Sequence, residues 1–228
     1  MGKIMKNMNI ALIGASSEIA SSFIDISNQN GDNVYCVTSN SSFKQSCYKK
    51  LFVNDYLLDQ DEILSFLDGI EDLTIIFFNG FLGENRSDKY PSVKEIEMTD
   101  TVNFVIPYYF TELFKNFHNI NNFIYISSIA AVKPRYKNYI YGLTKRKLEE
   151  SIKKIGLNKF LIIRFGKVLT KMSYEHRDPP FVMNSQQAAK FVYSNLDKSG
   201  VVYPKIGLFI VSLVLKAMPT KLIDRLNY

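Results

Sequence analysis

A tyrosine and a lysine four residues apart, Tyr141 and Lys145, sit in the stretch Asn138-Tyr-Ile-Tyr-Gly-Leu-Thr-Lys-Arg-Lys-Leu-Glu-Glu-Ser-Ile152. Ile140, Leu143, Leu148, Ile152 and Ile155 recur at helical intervals, which predicts a helix over 138–155. Residues i and i+4 of a helix lie on one face, so a phenol would stand beside an ammonium. A free phenol has a pKa of about 10, and a fixed cation nearby favours phenolate and lowers that value. The pair is therefore a candidate general acid/base for a carbonyl or an alcohol. With 14 tyrosines in the chain and abundant lysine, about one or two such pairs arise by accident. Tyr90-Pro-Ser-Val-Lys94 is a second match. The pair acquires meaning only from the elements that position it.

Those elements alternate. Asn9 to Ile13 is an apolar run broken at Gly14, followed by Ala-Ser-Ser-Glu-Ile-Ala20 and by Ile19, Phe23 and Ile26 at helical spacing. Strand, glycine turn and helix open a dinucleotide-binding βαβ unit, in which small Ala15, Ser16 and Ser17 let a pyrophosphate approach free backbone N–H groups. A second strand, Val34 to Thr38, leads into Thr38-Ser39-Asn40-Ser41-Ser42 and Lys44. These are hydrogen-bonding groups and a cation, without the carboxylate that would repel a 2′-phosphate, so NADP(H) is the expected cofactor and NAD(H) the alternative. Leu51 to Val53 reads as a third strand ending at Asn54-Asp55, with a helix over 60–67 after it. Thr74 to Phe78 is a continuous apolar run, as in a central strand buried on both faces, and Asn79-Gly80 ends it. Pro91 to Thr99 reads as polar and exposed. Asp100 to Phe117 reads as one helix whose Phe104, Tyr108, Tyr109, Phe110, Phe114 and Phe117 cover more than one face, hence deeply buried or shared with another subunit. Phe123 to Ile126 is a fifth strand ending at Ser127-Ser128, and Phe160 to Phe165 a sixth. The alternation predicts a three-layer α/β/α, doubly wound parallel sheet, the Rossmann arrangement, as a single domain over 1–228.

At this point the chain resembles a short-chain dehydrogenase/reductase over nearly its whole length. Gly14-Ala-Ser-Ser-Glu-Ile-Ala20 resembles that family's cofactor loop, and Asn79-Gly80 its turn after the fourth strand. Asn103 matches the family's catalytic asparagine, and Ser128 precedes Tyr141 by the family's thirteen positions (141 − 128). Arg164-Phe-Gly-Lys-Val-Leu-Thr170 resembles the stretch that borders the nicotinamide. The pair at Tyr90 has Phe77 in the place of the serine and fails this comparison. The resemblance implies that Tyr141 exchanges the proton and that Lys145 depresses its pKa and holds the nicotinamide ribose. Ser128 would orient the carbonyl, and Asn103 would hold a water passing protons toward Lys145. It also implies cofactor contacts at Gly14, Ser16, Ser17, Ile19, Thr38, Ser39, Asn40, Asp55, Asn79, Gly80, Tyr141, Lys145, Gly166, Val168 and Thr170. Two departures stand out. Glu18 and Ala20 replace loop glycines, so the Glu18 carboxylate must point away from the phosphates, and Phe165 replaces a proline. The loop is also similar to those of family members acting in cell-envelope polysaccharide pathways, which implies a carbohydrate precursor as substrate.

The formal net charge is +6, with basic residues scattered and often alternating with acids. That pattern reads as solvated surface or attraction of an anionic cofactor or substrate rather than as a nucleic-acid site. Cys36 and Cys47 show no metal or redox spacing and read as structural thiols of a reduced, cytoplasmic protein. The apolar run Ile10–Ile13 is too short for a secretory signal. Lys171 to Asn184, with His176, Arg177 and Asp178, lies where the family carries its substrate-covering loop, and Arg177 is a candidate contact to an anionic group. Ile206 to Leu215, at the head of the apolar C-terminal segment 205–228, is too short to cross a bilayer, which needs about 20 residues. It reads as a buried or subunit-interface helix, or as a membrane-surface anchor. A homodimer or homotetramer is expected from the aromatic helix. A dinucleotide-binding sensor without catalysis is the competing function.

Overall fold

The computed structural model describes residues 7–83, 91–117, 119–135, 138–173 and 179–219. Tyr90, His176, Arg177 and Asp178 lie outside the described residues. Seven parallel strands form the central sheet in the order β3-β2-β1-β4-β5-β6-β9. They are β1 (Asn9–Ile13), β2 (Asn33–Thr38), β3 (Lys49–Phe52), β4 (Leu73–Phe77), β5 (Ile120–Ser128), β6 (Phe160–Phe165) and β9 (Gly200–Val202). Two-residue strands β7 (Val168–Leu169) and β8 (Met183–Asn184) pair separately. Helices α1 (Glu18–Gln29) and α6 (Ser185–Tyr193) cover one face. Helices α2 (Gln60–Leu67), α4 (Ile106–Phe114) and α5 (Tyr139–Lys154) cover the other. This is the doubly wound, three-layer Rossmann arrangement that the alternation predicts.

Period two decides which side each strand residue serves. Ile10 and Leu12 pack with Phe23, Ile24, Ala188 and Val192, whereas Ala11 and Ile13 pack with Ile63, Leu67, Phe110 and Leu148. Both sets are fully buried or nearly so, which explains why β1 and β4 read as unbroken apolar runs. Strand order reverses between β1 and β4, and a crevice opens there at the carboxyl ends of the strands.

The region read as one helix over 100–117 is built differently. A separate helix, α3 (Val93–Asp100), precedes it, capped by Ser92, whose side chain accepts from Glu95 N while Glu95 reaches back to the Ser92 backbone. That Ser-x-x-Glu capping box turns the segment expected to be merely polar into a helix, most of it exposed. A π-helical turn over Thr101–Val105 then leads into α4, where Pro107 sits in the first turn. Proline lacks the N–H a regular helix would need there, and the wider turn accommodates it. Phe110 and Phe114 are fully buried, while Phe104, Tyr108, Tyr109 and Phe117 are half-buried around the outer side. Lys147 of α5 lies 3.9 Å over the Phe104 ring.

The C-terminal segment forms α7 (Ile206–Ala217). Only Leu208, Ser212 and Leu215, spaced by one helical turn, face inward. Ile206, Phe209, Ile210, Val211, Leu213 and Val214 are exposed, so the expectation of a buried helix holds for one stripe alone. Among the described residues no helix is long and apolar enough to cross a membrane. Cys36 and Cys47 are in contact: the thiol–thiol hydrogen bond holds Cys47 below the ordinary thiol range.

Candidate active site

The first wall of the crevice is the turn after β1. Gly14 has φ +85°, and a Cβ there would lie 2.9 Å from the Asn79 backbone nitrogen. Only glycine allows that approach, which brings the ends of β1 and β4 together. The Gly14 and Ala15 N–H groups both donate to Val37 O at 3.1 Å, locking the turn to β2. Ser17 caps α1 without a side-chain bond to the helix, so its first-turn N–H groups receive nothing from that side chain. Glu18 Oε1 accepts from the Lys171 backbone N–H at 2.6 Å. The carboxylate that replaces a loop glycine is thus directed to the chain beyond β7, as a phosphate site requires. Ala20 is fully buried and permits the close packing that a glycine would.

Two cavities meet at this turn. The smaller, about 630 Å³, is lined by Gly14, Ser16, Ser17, Ser39, Asp55, Asn79 and Gly80 among others. Tyr56 also lines it; its hydroxyl bonds Ser39 and lies 3.4 Å from Val37 O, and burial pushes its pKa up to about 12. No motif had singled this residue out. Thr38 lines neither cavity. It is buried, and its Oγ1 accepts from Asn40 N at 3.1 Å, so it shapes the loop instead of facing a ligand. Lys44 is exposed and lines neither cavity.

The larger cavity, about 1270 Å³, takes Ser16, Ser17, Ile19, Asn40, Asn79, Gly80, Ser128, Tyr141, Lys145, Gly166, Val168 and Thr170 into its walls. Asn79 lines both cavities, and its Oδ1 is buried without a hydrogen-bond partner among the described residues. An orphaned acceptor at a strand end, beside small residues and a helix N-terminus, fits a dinucleotide lying across the crevice. The nicotinamide half would lie against Gly166, Val168 and Thr170, and the adenosine half against Ser39 and Asp55.

Ser128 ends β5 and Tyr141 lies in the first turn of α5. Both line the larger cavity, where the Ser128 hydroxyl is near enough to Tyr141 to favour its phenolate. Tyr141 is nonetheless pushed up to about 12, because burial disfavours phenolate more than the serine favours it. The depression expected from Lys145 does not occur: burial and Ser128 alone set the Tyr141 shift. The Lys145 ammonium lies 5.9 Å from the Tyr141 ring centroid and donates instead to Asn79 O at 3.2 Å and Ile126 O at 3.0 Å. Lys145 itself is 3% exposed, and burial draws it down to about 8, with Glu149 opposing. Asn103 is fully buried and outside both cavities. Its Oδ1 accepts from Phe81 N at 3.1 Å and its Nδ2 donates to Phe81 O at 2.7 Å. These two bonds pin the turn after β4 to the π-helical turn.

The Lys145 shift has a stability consequence. Its folded pKa, about 8, lies below the ordinary 10.5. Above pH 8 the folded chain therefore releases a proton that the unfolded chain still binds, and stability rises until the unfolded lysine titrates as well. The full difference corresponds to roughly 3 kcal/mol. Urea unfolding of wild type and Lys145→Met should show a stability gap that is flat below pH 7 and shifts toward wild type between pH 8 and 10.5. A gap that is flat throughout would exclude a neutralised buried lysine.

No model of a known protein family matches the sequence, and no curated protein matches it. Solved structures do. A short-chain dehydrogenase from Burkholderia cenocepacia in complex with NADP superposes with a TM-score of 0.79 at 15% identity, covering 98% of each chain. A short-chain dehydrogenase family protein from Francisella tularensis gives 0.73 at 15% identity over 90% of this chain and all of the other. A short-chain dehydrogenase from Shigella flexneri complexed with NADP gives 0.69 at 14% identity, covering 89% and 98%. At such identities the likeness is one of fold: the chain has the fold of short-chain dehydrogenases from end to end.

Proposed function

We propose that this chain is an NAD(P)(H)-dependent short-chain oxidoreductase, cytoplasmic and built on one dinucleotide-binding domain, that reduces a ketone or oxidises the corresponding alcohol. One observation carries this reading: the Ser128–Tyr141 hydroxyl pair opens on a large cavity at the strand-order switch, beside an ammonium held by backbone carbonyls. The bound nicotinamide would supply or accept hydride. The chain's own residues do the rest. Ser128 donates to the substrate oxygen and orients it, and Tyr141 delivers the proton to that oxygen. Lys145 has three donors, two of them on Asn79 O and Ile126 O, leaving one for a ribose hydroxyl. The sensor alternative loses support because Glu18 is engaged by Lys171 and leaves the loop open.

The finer parts of the reading are these. NADP(H) is the preferred cofactor, since the loop after β2 offers Ser39 and Asn40 and no carboxylate. The substrate is an anionic carbohydrate precursor, sugar-nucleotide or lipid-linked, of polysaccharide assembly, for which the apolar wall of α7 beside the cavity leaves room. The half-buried aromatic side of α4 pairs with a second copy in a homodimer or homotetramer, and the exposed face of α7 makes a peripheral membrane contact.

Fluorescence titration tests the core of it. NADPH is expected to bind about tenfold more tightly than NADH, the value of one charge-assisted contact. A screen of keto-sugar nucleotides would follow. Protein that takes up neither nucleotide would end the oxidoreductase reading.

A further inference from the structure

Within the larger cavity one half-buried guanidinium has no counterpart among the described residues. Arg135 lies on the segment between β5 and α5, six residues before Tyr141 (141 − 135), and its side chain lines the wall. Gly142 explains how it comes so close. A Cβ at that position would stand 2.8 Å from Ala130 O and 3.1 Å from Pro134 Cα, so the absent side chain lets this segment lie directly on the first turn of α5. Arg135 is half-buried, and no described carboxylate pairs with it. Burial alone weakens its charge, with no neighbouring acid acting in the other direction. Of the other charged residues in the wall, Lys171 is exposed and Lys167 sits beside Gly166, away from the β5–α5 segment in sequence. Lys145 donates to two carbonyls, and Glu18 is bound to the Lys171 backbone. Arg135 belongs to the segment that joins Ser128 to Tyr141, and all three line the larger cavity but not the smaller one. A guanidinium taken partly out of water without a partner is costly unless a ligand completes it, and its planar fork matches carboxylate and phosphate oxygens.

We propose that Arg135 is the substrate-recognising cation of this site and that the substrate carries an oxyanion group, a carboxylate or a phosphate, close to the reacting carbonyl. The proposal rests on the oxidoreductase reading and adds to it a specificity determinant. Arg135 discriminates by charge: a neutral analogue leaves the guanidinium unpaired, whereas the anionic one completes it. Lysine in its place would keep the charge and lose the fork.

The test uses the full chain saturated with NADP⁺, so that binding is measured without reduction. Calorimetry compares two matched pairs: acetoacetate with methyl acetoacetate, and dihydroxyacetone phosphate with dihydroxyacetone. In the wild type the anionic member of at least one pair should bind about 10- to 100-fold more tightly, and the pair that responds distinguishes carboxylate from phosphate. Arg135→Met should abolish the difference and Arg135→Lys retain part of it, with NADPH titration of each variant reporting that the fold is intact. Equal binding of both members, no binding of either pair, or an undiminished preference in Arg135→Met overturns the assignment. NADPH uptake without anion preference sinks only the Arg135 proposal. A wild type that takes up no NADP(H) sinks the reading beneath it as well.

Discussion

Tyr141→Phe is expected to lower the rate of carbonyl reduction by about 10²- to 10⁴-fold, the usual contribution of a positioned general acid. The substitution removes one oxygen and nothing else from a half-buried ring. Its hydroxyl lies near Ser128 at the cavity wall, so the loss falls on proton delivery. NADPH affinity should change by no more than about tenfold, as one hydrogen bond is worth that much at most. Ser128→Ala should cost less, because the phenol remains and only the orienting donor goes. Stopped-flow oxidation of NADPH, with a fluorescence titration of the same protein, separates the two effects. A variant that keeps wild-type turnover would assign the proton to another group. One that loses cofactor binding in proportion would make Tyr141 a wall residue only.

Much of this architecture is legible because strands buried on both faces leave apolar runs, as at 9–13 and 74–78. The Ser128–Tyr141 spacing was legible because a strand end and a helix start are joined by a fixed length of chain. What sequence reasoning missed depends on contacts made at a distance. Glu18 could be judged only as a misfit until its partner, 153 positions away, was known. The π-helical turn that faces the Asn103 amide to Phe81 is announced by no local pattern. The capping box at Ser92 and Glu95 is written in the sequence, but the polarity of the segment masks the helix it starts. Tyr56 and Arg135 enter their cavities from loops, where neither period nor spacing marks a side chain. For α7, hydropathy gave no warning that only the Leu208–Ser212–Leu215 stripe would be covered.

Glu149→Gln is the substitution expected to cost the most stability, about 3–5 kcal/mol. Glu149 is one turn beyond Lys145 on α5 and 2% exposed. Its Oε1 accepts from Ser127 Oγ at 2.6 Å and from Arg164 Nε at 2.9 Å, and its Oε2 accepts from Arg164 Nη2. Arg164 in turn donates to the Tyr203 hydroxyl at 2.6 Å, joining α5, β5, β6 and the end of β9. Burial works against the guanidinium charge, and Glu149 and Tyr203 more than offset it, so that Arg164 stays charged above its ordinary range. A glutamine has nearly the shape of the acid but only one acceptor oxygen and no charge, so Arg164 would remain buried without a counter-ion. The same change removes the one interaction that holds the Lys145 pKa up, moving it further below about 8 and making the amine less charged at neutral pH. Lower stability and weaker catalysis at neutral pH should therefore appear together. Adding Arg164→Met separates them. The double variant has no unpaired charge, so urea unfolding should recover most of the lost stability, while Lys145, still without Glu149, should keep its lowered pKa and the activity should stay low. A single variant within about 1 kcal/mol of wild type would show that Arg164 does not depend on Glu149, and a double variant whose activity returns along with its stability would show that Glu149 has no hold on Lys145.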